Sequence, residues 1–156
     1  MFKIKLSLIA ALFSIVSFAQ TGQIISANSL FENLKAGKDV NVIIHYAKCK
    51  LLIDGEETQS PDAIGGMKLM PFEYFAKMSI RNEKAYVTAS ETRLISHRSY
   101  GYVLNYVKIR IFEDDSVEII ARYLDPNTYE VKMDELFTAE INNGINDGAV
   151  YLWMND

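Results

Sequence analysis

From Tyr102 onward the chain alternates apolar and polar residues with a period of two, and nothing else in it restricts the fold as strongly. Four runs carry the pattern: YVLNYVKIRIF, SVEIIARYL, TYEVKMDELFTAE and GAVYLWM. Between them stand Glu113-Asp114-Asp115, Asp125-Pro126-Asn127 and the stretch INNGINDG, all rich in turn-forming residues. Successive side chains of a strand point to opposite faces, so one face collects Val103, Asn105, Val107, Ile109 and Ile111. The next run adds Val117, Ile119, Ala121 and Tyr123, and the third adds Tyr129, Val131, Met133 and Phe137. A slip of one residue would turn this set outward. Odd positions must therefore meet odd positions, across loops with an odd number of residues such as Asp114-Asp115-Ser116 and Asp125-Pro126-Asn127. The reading is an antiparallel meander of three to four strands, with INNGINDG as a hairpin loop.

Upstream, VNVIIHY, AYVTAS and RLISH read as further strands. The stretch DGEETQSPDAIGGMKLMPFEYF is broken by Gly and Pro. Its first half reads as polar loop, and residues 71–75 as either a helical turn or a strand. The segment SANSLFENLKAGKD reads as a short helix. Ser29 and Glu32 fit a capping box, Leu30, Phe31 and Leu34 form one apolar stripe, and Gly37 suits the stop. A helix this short is marginal alone, so it must dock on the sheet. The second face of the meander mixes Tyr102, Leu104, Tyr106, Ile120 and Leu124 with Lys108, Arg110, Glu118, Arg122, Glu130 and Lys132. That face is either partly covered by the helix or is a contact surface, with Tyr102, Leu104, Tyr106 and Ile120 as its contact residues. Seven or eight short antiparallel strands lose their edges by curling. The expected fold is therefore mainly β, a barrel-like sheet of about 7–8 strands with one short N-terminal helix.

The start of the chain obeys different rules. Lys3 and Lys5 precede an apolar run from Leu6 to Phe18, and Ser17 and Ala19 set small residues before Gln20. This is the pattern of a cleavable signal peptide over residues 1–19. The run is shorter than the roughly 20 apolar residues a membrane-spanning helix needs. A single domain over residues 20–156 is then expected in the periplasm or the extracellular space, with no stable membrane insertion. Net charge is −4 over the whole chain and more negative once the two leader lysines are removed. An acidic domain is a poor binder of nucleic-acid backbones. With one cysteine, no intramolecular disulfide can form, so the core must hold the fold.

Chemistry-bearing residues are few. NVIIHYAKCKL carries His45 and Cys49 four positions apart. Its β-branched residues favour a strand, and a strand continuing to Leu51 would hold the two side chains on one face, about 13 Å apart. That is too far for a shared metal ion or a nucleophile–base pair. Both are expected as interior residues, although Lys48 and Lys50 beside the thiol would favour its ionisation. Asn105 interrupts an apolar row. It either fixes the register through a buried hydrogen bond or lies on the floor of a ligand cavity with His45, Cys49, Tyr123 and Tyr129 nearby. His97, in ISHRSYG, reads as a loop histidine. No HExxH, paired CxxC, GxSxG or phosphate-cradling loop is present, and no metal or cofactor is called for.

Together, SLFENLKAGKDVNVIIHYAKCKL, PDAIGGMK, GYVLNYVKIRIFEDDSVEI and YLDPNTYEVKMDE resemble the VirK family of small exported bacterial proteins, over about residues 26–152. The resemblance implies an exported protein linked to virulence or host interaction, with no assigned enzymatic activity and no catalytic residue to carry over. One position departs from the expected pattern: Asp-Gly is expected before SVEI, where this chain has Asp114-Asp115. The leading expectation is a non-enzymatic binding or accessory protein of the envelope, offering a β-surface or modest cavity to a protein or small apolar ligand. Two alternatives stand beside it. One is a small cavity enzyme using His45 or Cys49 with Asn105, and the other a structural subunit of an envelope assembly.

Overall fold

The computed structural model describes residues 22–155, so the expected leader over residues 1–19 lies outside the described residues. In chain order the elements are β1 (Gln23–Ile24), α1 (Ala27–Lys35), β2 (Asp39–His45), one 3-10 turn (Tyr46–Lys48), β3 (Lys50–Ile53), β4 (Glu56–Thr58) and β5 (Ile64–Lys68). They continue with β6 (Glu73–Phe75), β7 (Tyr86–His97), β8 (Gly101–Phe112), β9 (Ser116–Leu124), β10 (Val131–Glu140) and β11 (Val150–Asn155). The fold is mainly β with antiparallel pairing and one helix among the described residues. The sheet does not curl into a barrel. Two open sheets form instead, a seven-stranded one in the order β4-β3-β10-β9-β8-β7-β6 and a four-stranded one in the order β1-β11-β2-β5. Edges are left open because short strands (β4, β6, β1) terminate each sheet where a barrel would have to close.

The meander exists as β7-β8-β9-β10, and odd positions do face odd positions. Asn105 is opposite Tyr123, Val107 opposite Ala121, Ile109 opposite Ile119 and Ile111 opposite Val117. Phe137 faces Ile119 and Leu51. AYVTAS and RLISH are one continuous strand. Beyond Met133 the register shifts, so Val131 pairs with Leu124, and Tyr129 leaves the sheet at φ +58°. Residues 125–130 form an even-length loop, and this irregularity restores the parity that an odd loop would have given. GAVYLWM is no fourth meander strand. As β11 it crosses to the smaller sheet and pairs with β2 and β1. INNGINDG is accordingly a crossover and not a hairpin. The Asn142 amide donates to Gly148 O (3.1 Å) and accepts from Gly144 N (3.0 Å), while Asn143 and Asn146 bond the neighbouring backbone. Gly148 is obligatory there, since a Cβ would lie 2.6 Å from the Ile141 carbonyl oxygen.

The dry interior lies between the two sheets. Val40, Val42, Ile44, Met67, Val150 and Leu152 from the smaller sheet meet Val87, Ile109, Ile111, Val117, Ile119 and Phe137 from the larger. Helix α1 adds Ala27, Leu30, Phe31 and Leu34 to the same core, so it packs inside the sandwich and leaves the outer face of the meander bare. Phe31 meets the Tyr74 ring edge-on at 5.3 Å, with the Lys35 ammonium over that ring. The helix begins one turn earlier than the sequence suggested, with Ser26 as cap accepting from Ser29 N (3.3 Å). At its other end Gly37 takes φ +78°, its N–H donates to Leu34 O and Lys38 N donates to Asn33 O, a paired closure that satisfies both carbonyls. Segments expected as loop also pair. Asp54 and Gly55, both at positive φ, turn β3 into β4, and Ile64–Lys68 pairs with β2 despite its two glycines.

Asp115 explains the missing glycine before SVEI. It holds φ +66°, the conformation a glycine would supply, and its carboxylate accepts the Ala27 N–H at 2.7 Å. A turn residue of the large sheet thus caps the helix. Asp115→Ala is expected to lower stability by about 1–2 kcal/mol, while Asp115→Asn, which keeps an acceptor and tolerates the backbone, costs a few tenths. Urea midpoints of the two variants check this.

Candidate functional site

Strands β7 and β8 each run 12 residues, while β5 and β2 above them run 5 and 7. The smaller sheet therefore covers only part of the larger one. Read across β7, β8, β9 and β10, the inner face changes character row by row. Val87, Ile111, Val117 and Ala139 form one apolar row, and Ala89, Ile109, Ile119 and Phe137 the next. Then come Glu91, Val107, Ala121 and Glu135, followed by Arg93, Asn105, Tyr123 and Met133. The dry core stops where the glutamates begin.

Tyr46 marks that boundary. The 3-10 turn that follows β2 swings its ring against Phe137, edge to face at 4.9 Å. The ring has room because residue 65 is glycine; a Cβ there would lie 2.8 Å from Tyr46 Cε2. Burial pushes the Tyr46 phenol up to about 12, and the nearby Cys49, Glu91, Tyr123 and Glu135 push the same way. Burial likewise raises the Glu135 carboxyl. Beside this ring a cleft of about 300 Å³ opens, lined by residues that include Tyr46, Gly65, Glu91, Arg93, Asn105 and Val107. Tyr123, opposite Asn105, belongs to an aromatic group in which the His97 ring lies 4.8 Å from Tyr100 and 5.0 Å from Tyr123. Glu91 and Glu135 belong to strands three steps apart, about 14 Å at the backbone, so they do not act as a carboxylate pair.

Of the residues singled out in the sequence, the structure brings Asn105 and Tyr123 together, directly opposite each other on this ledge. The others lie elsewhere. Residues 40–51 are not one strand: the 3-10 turn carries the chain from the smaller sheet into the larger. His45 falls on the outer face of the smaller sheet, its ring 5.0 Å from Tyr151, and is not an interior residue. Cys49 is buried, and its thiol donates to the His45 carbonyl at 3.6 Å. Tyr129 is 68% exposed in the β9–β10 loop, away from the cleft. Lys48 and Lys50 are engaged by Asp147 (2.6 Å) and Glu57 (3.8 Å), and burial pushes the Cys49 thiol up to about 11. Among the described residues no cluster of three His, Cys, Asp or Glu is placed to hold a metal.

The contact residues expected on the second face share the outer surface of the seven-stranded sheet. Tyr102 is 69% exposed, and Leu104 joins Leu94, Leu124 and Val131 in one apolar row. Tyr106 lies in the next row with Arg122, which pairs with Asp134 at 2.8 Å. Ile120 follows one row further on, opposite Lys108.

Two comparisons match this sheet arrangement and its sequence. The family model for the VirK protein matches residues 23–129, more than half of the chain. The chain belongs to the VirK family. The crystal structure of a VirK family protein from Legionella pneumophila aligns with a TM-score of 0.62 at 13% identity, covering 83% of this chain and 97% of that one. At that identity the likeness is one of fold. No curated protein matches the chain. The VirK match contains Tyr46, Glu91, Arg93, Asn105 and Tyr123, and it ends before Glu135 and β11.

In this VirK chain Cys49 is expected to be inert. Its folded pKa lies above the ordinary thiol value of 9.0. Stability is therefore undiminished below about pH 9 and falls as pH rises from 9 toward 11, where the unfolded chain ionises first. Thiol labelling at pH 8 should proceed only at the rate of unfolding, and urea midpoints should drop above pH 9 less steeply in Cys49→Ala.

Proposed function

We propose that this VirK protein is an exported, non-enzymatic binding protein of the bacterial envelope, linked to host interaction, which takes a small, largely apolar ligand on the ledge beyond the dry core. One observation carries the reading: Asn105, Arg93 and Tyr46 converge on an open cleft of about 300 Å³ walled by Ile44, Met67 and Val107, with Tyr123 beside Asn105 on the next strand. Apolar walls with a few placed polar groups are the usual make-up of small-ligand sites, and this volume is at their lower limit. The leader-like pattern of residues 1–19 supports export. Among the described residues no helix is long and apolar enough to cross a membrane.

The cavity-enzyme reading has less support. It requires His45 or Cys49 to act beside Asn105, yet His45 faces outward from the smaller sheet and Cys49 is bonded to backbone within the core. A partner protein would instead use the outer face around Tyr102, Leu104, Tyr106 and Ile120.

Native mass spectrometry of the protein purified from its own bacterium tests the ledge directly. A bound species is expected in the wild type and should be lost, at about tenfold lower occupancy or below, in Asn105→Leu and Tyr123→Ala. Gly65→Ala should act similarly by displacing Tyr46. Loss in Tyr102→Ser and Leu104→Ser, with Asn105→Leu unaffected, would move the function to the outer face. Absence of any bound species overturns the ledge.

A further inference from the structure

Strand β6 pairs with β7 only at Tyr86, Val87 and Thr88. From residue 90 to residue 97 the outer edge of β7 has no neighbouring strand among the described residues, while its other edge pairs with β8 in unbroken register from Tyr86 to His97. Ser90, Thr92, Arg93 and Leu94 along this edge are exposed. The edge contains no proline and no bulge, two common devices that stop a free strand from recruiting another. It does carry two opposite charges, Glu91 and Arg93, both pointing to the inner face and paired with each other at 2.9 Å.

These charges read differently in different registers. In an antiparallel pairing of two β7 edges about a two-fold axis normal to the sheet, inner-face residues meet inner-face residues. Centring on Glu91 or on Arg93 would set like charges opposite each other, which is destabilising. Centring on Leu94 would leave Arg93 facing Ile95. Centring on Thr92 places Glu91 opposite Arg93 of the second copy, and Arg93 opposite Glu91, with Thr92 against Thr92 on the other face. Opposite-charge and Thr–Thr cross-strand pairs are both favourable. The charge pattern is thus self-complementary in the Thr92 register and opposes those centred on Glu91 and Arg93.

We propose that the free edge of β7 is a docking site for a second copy of this chain, giving a two-fold dimer whose seven-stranded sheets join antiparallel at Thr92. The contact is short and its charges are exposed, so the dimer is weak and salt-sensitive. This inference does not depend on the ledge binding a ligand, although Glu91 and Arg93 border both.

Sedimentation velocity of the purified protein across a concentration series, at low and high salt, reads the dimer directly. Wild type should shift from monomer to dimer, less so at high salt. Glu91→Arg and Arg93→Glu each set like charges together in the Thr92 register and should raise the dissociation constant about tenfold or more. The double variant Glu91→Arg/Arg93→Glu restores complementarity and should restore the dimer. Circular dichroism confirms that each variant is folded. A wild type that stays monomeric overturns the proposal and leaves the edge to an extended peptide of another protein. Dimers that are indifferent to the single reversals, or not rescued by the double one, overturn it as well.

Discussion

Two sheets of unequal length share one hydrophobic interface, and most of the molecule's character follows from the mismatch. Strands of 12 residues cannot be covered by strands of 5 to 7. Burial of Val87, Ile109, Ile111, Val117, Ile119 and Phe137 against Val42, Ile44 and Leu152 is the main driving term, each side chain contributing roughly 1.5–3 kcal/mol. Past Phe137 that term weakens, though Val103 stays buried further along β8, and the sequence changes with it. Glutamate, arginine, asparagine and tyrosine take the same inward-facing positions because water can reach them there. The ledge is the product of this limit, whereas the free edge of β7 follows from the three-residue length of β6 beside it.

The chain's passage between sheets is the second organising feature. At the 3-10 turn of Tyr46–Lys48 it leaves the smaller sheet and enters the larger, setting Cys49 into the core and Tyr46 onto its rim. Asp115 performs the complementary task at the opposite end, tying a hairpin turn of one sheet to the first helical N–H beside the other. Glycines 65 and 148 are needed because neighbouring groups approach their Cα atoms closely, a ring in one case and a backbone carbonyl in the other.

How far the sequence reached depended on whether the deciding contacts were local. Strand register in β8 and β9 was readable, since the alternation of Val103 to Ile111 and Val117 to Tyr123 encodes it directly. The helix was readable to within a turn, because its apolar stripe and Gly37 lie within ten residues of each other. The barrel was not, since sheet closure depends on which edges meet. Short, charged β4 and glycine-bearing β5 looked like loop because neither carries an apolar alternation and each is held only by its strand partner. For the site, Asn105 and Tyr123 were visible as interruptions of an apolar row. Tyr46, Glu91, Arg93 and Glu135 were missed, although Glu91 and Glu135 carried a signal of their own: charges at inward parity. His97 was assigned to a loop, yet it ends β7 and stacks on Tyr100 and Tyr123.

Strand β11 has a further consequence for how such a molecule is born. It lies between β1 and β2, so one of the two interior strands of the smaller sheet is supplied by the last residues described. As the chain folds, β1 and one edge of β2 wait for a partner more than a hundred residues further along the sequence. Closing so long a loop is slow. Completion of the small sheet therefore depends on one of the most distant pairings in the fold.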